Sequence, residues 1–462
     1  MSGILIFING AILIGSSLFF LILGISSFNE KEYRAGVIAL GSFILNGLFW
    51  TGFLWIGFLR ASPAFQITNI LIISGLALFS LISLMRFFPD KSLQRDLSKA
   101  EQYDERDNIF ARNNLQHHPK LMEKYYAMRP EKESMDRQIH QKPEFGEKEQ
   151  LYHDKYTAPC YEAAFEYLEK SIPLSAGETA EQKTSIDPVQ FCKAITDITE
   201  FYGACDVGFL QLKPYHFYSH KGRHAKNWGD KTDQTYKTAI AIVIPMRVEM
   251  IKNGPTSCVL QESAQKYVEA AKISNILAGY IRNFGYQARA HNDGNYETLC
   301  VPIAVEAGLG ELGRMGILMH RVHGPCVRLA VVTTDLELPD SVRPKPSNME
   351  AFCKICKKCA DNCPSGSITH DDEPYSRNFR HWSIHQEKCF SYWKTIGSDC
   401  GFCISVCPYT KPDTLIHKFV RFYISRNSLN QKIALFMDDL LYGRYRKIAK
   451  TNPENIFTSR QT

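Results

Sequence analysis

Residues 353–364 read CKICKKCADNCP and residues 400–408 read CGFCISVCP, with Cys389 standing alone upstream of the second run. The first has the spacing C-x2-C-x2-C-x3-C-P. The second ends in the same C-x3-C-P. Three cysteines at short spacing cap one face of a [4Fe–4S] cube, and the proline after the fourth turns the chain toward another cluster. Eight thiolates therefore predict two [4Fe–4S] clusters. The expected wiring is Cys353, Cys356, Cys359 and Cys407 on one, and Cys400, Cys403, Cys363 and the displaced Cys389 on the other. A structural zinc site also uses C-x2-C pairs, but zinc leaves both C-x3-C-P endings unexplained. Disulfides are the third reading, disfavoured by eight closely packed cysteines without a cleavable secretory signal. Cys160, Cys192, Cys205, Cys258, Cys300 and Cys326 are scattered and read as buried small hydrophobes.

The chain has 462 residues, enough for about three units. Stretches 3–27, 35–59 and 61–85 contain no Asp, Glu, Lys or Arg. Each exceeds the roughly 20 residues needed to cross a hydrocarbon core, so three transmembrane helices are expected. The first lacks the basic start and small-residue cleavage site of a signal peptide, and no twin-arginine motif precedes it. Lys31 and Arg34 lie in the first loop, Arg60 in the second, and Arg86, Lys91, Arg95 and Lys99 follow the third. That asymmetry puts the N-terminus outside and everything after residue 86 in the cytoplasm, as a multi-pass protein of the cell inner membrane. The net charge of +6 is modest. Its basic residues are not interleaved with an aromatic ladder, which argues against nucleic acid as a partner. Lys418, Arg421, Arg426, Lys432, Arg444, Arg446 and Lys447 suit either anionic lipid head groups or a solvated basic face.

Five segments follow: a three-helix anchor 1–86, a charged helical connector 87–158, a folded domain 159–344, the cluster unit 345–412 and a helical, amphipathic tail 413–462. Within the folded domain, 189–203, 263–283 and 301–307 read as helices, and 207–212, 239–246, 286–291 and 327–334 as strands. Helices alternating with strands argue for an α/β or α+β core with a largely buried sheet.

The C-x2-C-x2-C-x3-C-P run is that of bacterial ferredoxins. Ile281-Arg282-Asn283-Phe284-Gly285-Tyr286, then Ala307-Gly308-Leu309-Gly310-Glu311-Leu312-Gly313-Arg314, Gly324-Pro325 with Arg328, and Thr334-Asp335-Leu336 precede the cysteines in an order that resembles the reductive dehalogenases. Asp104-Glu105-Arg106-Asp107 with Phe110-Ala111-Arg112, and Met437-Asp438-Asp439 with Tyr442-Gly443, are similar to the same family. The resemblance covers about 100 to 445 and implies transmembrane helices joined to an α/β (α+β) corrinoid-binding domain and a ferredoxin-like double-cluster domain.

It also implies a cobalamin bound base-off, and no D-x-H-x-x-G motif is present for a histidine-ligated mode. Gly308, Gly310 and Gly313 would let backbone approach the corrin. The implied reaction replaces a halogen by hydrogen on an organohalide, with electrons arriving through the clusters and a tyrosine supplying a proton. Tyr267 matches that tyrosine, with Arg328 or Arg314 as a cation lowering its pKa from about 10, and Asn292 as polar partner. Against this stand an amphipathic surface tyrosine for Tyr267, a structural ion pair for Arg328 and a simple turn at Asn292-Asp293-Gly294.

Respiratory members usually carry a twin-arginine signal and a separate small membrane anchor, whereas here the spans are fused to the enzyme. A halogenated aromatic is the expected substrate, in a pocket lined by Tyr215, Phe217, Tyr218 and Trp228. Reduced ferredoxin or flavodoxin, or a membrane electron donor, is the expected partner. The competing readings are an epoxyqueuosine-reductase-like corrinoid enzyme and a membrane iron–sulfur relay without chemistry of its own.

Overall fold

The computed structural model describes residues 2–59, 63–85, 100–144, 147–342, 348–371, 382 and 384–448. Arg60, Arg86, Lys91, Arg95 and Lys99, which carry most of the orientation argument, lie outside them. The chain divides into two compact units, Met1–Ser92 with Asp413–Tyr445, and Leu93–Pro412 with Arg446–Thr462.

The first unit contains helices Ser2–Asn29, Tyr33–Leu59 and Pro63–Leu84. Each holds a segment long and apolar enough to cross a membrane, of 23, 21 and 19 residues. Their large apolar side chains, including Phe7, Ile14, Val37, Leu48 and Leu71, face outward. Polar contacts join the helices inside: Asn9 Nδ2 donates to Asn69 Oδ1 at 3.0 Å and Asn46 Nδ2 to Ser16 and Ser17 Oγ at 3.0 Å.

The tail does not stand apart as its own segment. Helices Leu415–Ile424 and Ser428–Tyr442 belong to this unit, with Ile416 and Leu441 clustering on Leu23, Ala35 and Ala39. His417 Nε2 meets Glu30 Oε1 at 3.0 Å with both side chains nearly buried. Asn427 Nδ2 donates to the Ile82 and Met85 carbonyls at 3.1 Å, and Asn430 Nδ2 to that of Ser83 at 2.9 Å. The last carbonyls of a helix lack partners within it, and these asparagines supply them.

In the second unit strands β1 (Asp206–Gln211), β2 (Thr238–Pro245), β3 (Ala288–His291) and β6 (Val327–Thr334) form a sheet in the order β1-β2-β6-β3. Every pairing is antiparallel, so of the two expected classes the core is α+β. β2 shows why its sequence is almost wholly apolar. Ile240, Ile242 and Ile244 face one core with Ala270, Ile273 and Leu277, while Ala239, Ala241 and Val243 face another with Ile303, Ala304 and Leu309. Because side chains alternate along a strand, burial on both faces leaves no polar positions. β4 (Gly310–Leu312) and β5 (Leu318–His320) make a separate hairpin. Helix Pro188–Phe201 opens with Asp187 accepting from the Val189 and Gln190 N–H groups at 2.8 and 3.2 Å, ahead of a proline that needs no partner there.

The expected connector is built into this unit from residue 100 onward. Arg112 is fully buried and meets Asp136 at 3.2 Å and Glu387 at 2.8 Å, and buried Lys394 meets Glu144 at 2.8 Å. Buried charges persist only when paired, so the charged composition that suggested a linker belongs to an internal network. Glu105 accepts from Gly222 N at 2.7 Å and Arg223 N at 3.3 Å, giving the Asp104–Asp107 motif a fastening role.

Candidate functional site

Helix Met349–Cys356 carries Cys353 and Cys356, and left-handed Lys357 ends it so that Lys358–Asp361 can present Cys359. Helix Gln386–Ile396 carries Cys389. Gly401, at a φ of 58°, turns the chain into Phe402–Ser405, which carries Cys403. None of these cysteines forms a disulfide. The thiol neighbours of Cys407 are Cys353, Cys356 and Cys359. Those of Cys400 are Cys389 and Cys363, and Cys403 adjoins Cys400, Cys389, Cys363 and also Cys359. Cys389, isolated in sequence, thus stands with Cys363 and Cys400. Burial pushes the Cys353, Cys359, Cys389 and Cys400 thiols up to about 12. Thiolates in such surroundings need bound cations to hold their charge, a donor set that fits iron–sulfur clusters.

Arg314 does not join Tyr267. It is fully buried beneath the first array, where Nε donates to the Cys353 carbonyl at 3.1 Å and Nη1 to those of Thr369 and Asp371 at 2.9 and 2.7 Å. Its guanidinium lies 4.7 Å from the Trp382 ring. Several carbonyls converge there, and only a fork of donors satisfies them together.

Arg328 is the cation beside Tyr267, its Cζ 4.8 Å from the ring centroid. Tyr267 and Ser263 come from helix Ser257–Arg282 and Arg328 from β6, so helix-on-sheet packing makes the pair. Arg328 Nη2 bonds Ser263 Oγ and lies 3.2 Å from Asp399 Oδ2. Asn292 is buried and donates from Nδ2 to Ser274 Oγ and Asn275 Oδ1, each at 3.2 Å, on the helix that carries Tyr267. Sequence reading missed Ser263, Asp293, Tyr296 and Asp399, although Asp399 directly precedes a cluster cysteine. Contrary to the expected lowering, burial pushes the Tyr267 phenol up to about 12, with Arg328 pulling it back only in part.

Tyr267, Asp293, Tyr296, Arg328 and Asp399 influence one another electrostatically, and each keeps some accessible surface. Arg328 Nε and Thr298 Oγ1 are buried without a hydrogen-bond partner among the described residues. The unpartnered Arg328 donor beside Tyr267 fits a polar guest.

Gly310 and Gly313 serve the hairpin itself. A Cβ on Gly310 would stand 2.2 Å from the Met319 carbonyl oxygen, and one on Gly313 2.7 Å from Met319 Cγ. Gly308 has a φ of +83°. Of the expected pocket aromatics, Phe217 is core, Tyr215 donates to Glu306 Oε2 at 3.0 Å, and Trp228 stacks under Arg106 at 5.3 Å. Tyr218 is buried, beside Glu105 and Cys300.

Residues 352–411 match the family described as "4Fe-4S dicluster domain". A tetrachloroethene reductive dehalogenase of Desulfitobacterium hafniense is 35% identical over 213 residues, covering 43% of this chain and 38% of that protein. One of Sulfurospirillum multivorans is 35% identical over 225 residues, covering 47% and 44%. The match thus spans under half the length of these curated relatives. A solved structure of a catabolic reductive dehalogenase, NpRdhA, in complex with 3-bromo-4-hydroxybenzoic acid superposes with a TM-score of 0.61 at 21% identity, over 78% of this chain and 50% of that one. That likeness is one of fold. With its dicluster segment, its sequence matches and this shared fold, the chain is similar to the reductive dehalogenases.

Proposed function

We propose that this chain is a membrane-anchored, corrinoid-dependent reductive dehalogenase that replaces a halogen of an organohalide by hydrogen. The observation that carries the reading is Tyr267 beneath Arg328, whose guanidinium also reaches Asp399, the residue next to Cys400 of the second thiol set. A bound corrinoid would supply cobalt chemistry for breaking the carbon–halogen bond. The backbone at 308–313 and the side chains Tyr296 and Arg328 would hold it. Tyr267 keeps its proton at neutral pH and delivers it from the phenol oxygen to carbon, and the Arg328 guanidinium steadies the phenolate left behind. Asn292 anchors β3 to the helix that carries Tyr267. The two thiol sets would hold two [4Fe–4S] clusters, which would supply electrons taken from reduced ferredoxin or flavodoxin, or from a membrane donor.

The substrate class proposed is a halogenated aromatic, since Arg223 and Arg328 near Tyr267 would meet a phenolate. Catalysis is placed on the cytoplasmic side of the inner membrane, from the lysines and arginines near the spans. The test is halide release by full-length protein, purified anaerobically in detergent and loaded with iron and cobalamin, across halophenols and tetrachloroethene. Tyr267→Phe should abolish turnover with cobalt and iron content unchanged. Iron uptake without cobalt would favour a pure electron relay.

A further inference from the structure

Cys205, expected to be a buried small hydrophobe, stands instead beside two histidines. Its N–H donates to the Val243 carbonyl at 2.8 Å and so extends the β1–β2 ladder by one residue. Opposite it, β5 runs into a turn closed by reciprocal backbone bonds between His320 and Gly324, 2.8 Å in each direction. Both imidazoles of that turn stack with centroids 5.4 Å apart and planes 14° apart. The Cys205 sulfur and one ring nitrogen each of His320 and His323 lie within 4.8 Å of one another. Asp206 Oδ2 is 3.0 Å from His320 Nε2. One sulfur and two imidazole nitrogens converge, and a rotation of the Asp206 side chain beside His320 completes a four-donor set suited to zinc.

We propose that Cys205, Asp206, His320 and His323 bind one divalent ion of the zinc class, which clasps the β4–β5 hairpin to the first strand of the sheet. The ion takes the place of the proton that His320 Nε2 shares with Asp206. That proton moves to Nδ1, giving up its long contacts with the N–H groups of Val322 and His323 at 3.4 and 3.3 Å. The thiol proton leaves to solvent, as a coordinated sulfur requires. The consequence reaches the glycine-rich segment, because Arg321 on the same turn donates from Nη2 to the Gly308 carbonyl. The site shares no residue with the Tyr267 group or the cysteine arrays, so it stands whether or not the chain dehalogenates.

The experiment uses the full chain with its iron loaded, given one equivalent of zinc and desalted, followed by elemental analysis and zinc K-edge absorption. About one zinc per chain is expected, with one sulfur and three lighter donors in the shell. Cys205→Ala and His323→Gln should each cut retained zinc at least about five-fold while iron content, the control for folding, stays constant. If a variant also loses iron, the wild-type absorption shell decides alone. No retained zinc, equal zinc in iron-replete variants, or a four-sulfur shell would overturn the proposal.

Discussion

The guanidinium of Arg328 lies 4.8 Å from the Tyr267 ring while its Nη2 reaches Asp399 at 3.2 Å, the residue directly before Cys400. One side chain therefore touches the proposed proton donor and the side chain of the residue that precedes a proposed cluster ligand. Asp399 works against Arg328 electrostatically, tending to raise the phenol's pKa, and burial raises it further to about 12.

Removing Arg328 takes away the larger of the two cationic influences that lower that pKa, leaving only the weaker one of Arg223 against burial, Asp293 and Asp399. Arg328→Met should move it above its value of about 12, shift any basic limb of the pH–rate profile upward and slow turnover by about 10²-fold or more. A wild-type profile in this variant would deny Arg328 its role. The raised phenol also bears on stability. Its contribution is complete below the unfolded value near 10 and is lost as pH rises through about 12, so it cannot limit stability at neutral pH.

Cys389 tests the thiol grouping. Cys389→Ser should reduce anaerobically reconstituted iron from about eight to about four per chain, leaving one cluster, if each cube needs four thiolates. Exposed Cys160→Ser should leave iron unchanged. Full iron in the Cys389 variant would remove it from the ligand set.

Arg314 should behave as a structural residue. Arg314→Met leaves the carbonyls of Cys353, Thr369 and Asp371 without their donor, and should lower stability by about 3 kcal/mol or more. Thermal unfolding would show it, with iron lost from the first array. A variant of full stability and reduced turnover would return Arg314 to the catalytic group.

In the membrane unit, Glu30→Gln would break a nearly buried pair with His417, at a cost of about 3–5 kcal/mol. Limited proteolysis in detergent should then cut within 415–442 faster than in the wild type. Unchanged cleavage would mean the asparagine contacts to Ile82, Ser83 and Met85 hold the tail alone.

Local periodicity and spacing made much of this protein legible. The three apolar helices, strand β6 at its observed limits and the two cysteine arrays could be read directly, because uninterrupted apolar length, β-branched runs and ligand spacing are local properties. Tyr267 needed a resemblance to be singled out, since it sits in no local pattern that distinguishes it, whereas Cys389 was reached only by counting thiolates for a second cluster.

Other features depended on which distant segments meet. Arg328 and Arg314 are equally plausible cations in sequence, yet one lies over Tyr267 and the other satisfies carbonyls under a cysteine array. Segment 100–158 looks like a linker until Arg112 and Lys394 are seen paired in the interior. The tail joins the apolar helices because its own hydrophobic faces and their terminal carbonyls need covering. Composition records how much charge or apolar surface a segment carries. Only the tertiary structure decides where that charge is neutralised and what that surface covers, because both depend on partners far away in the chain.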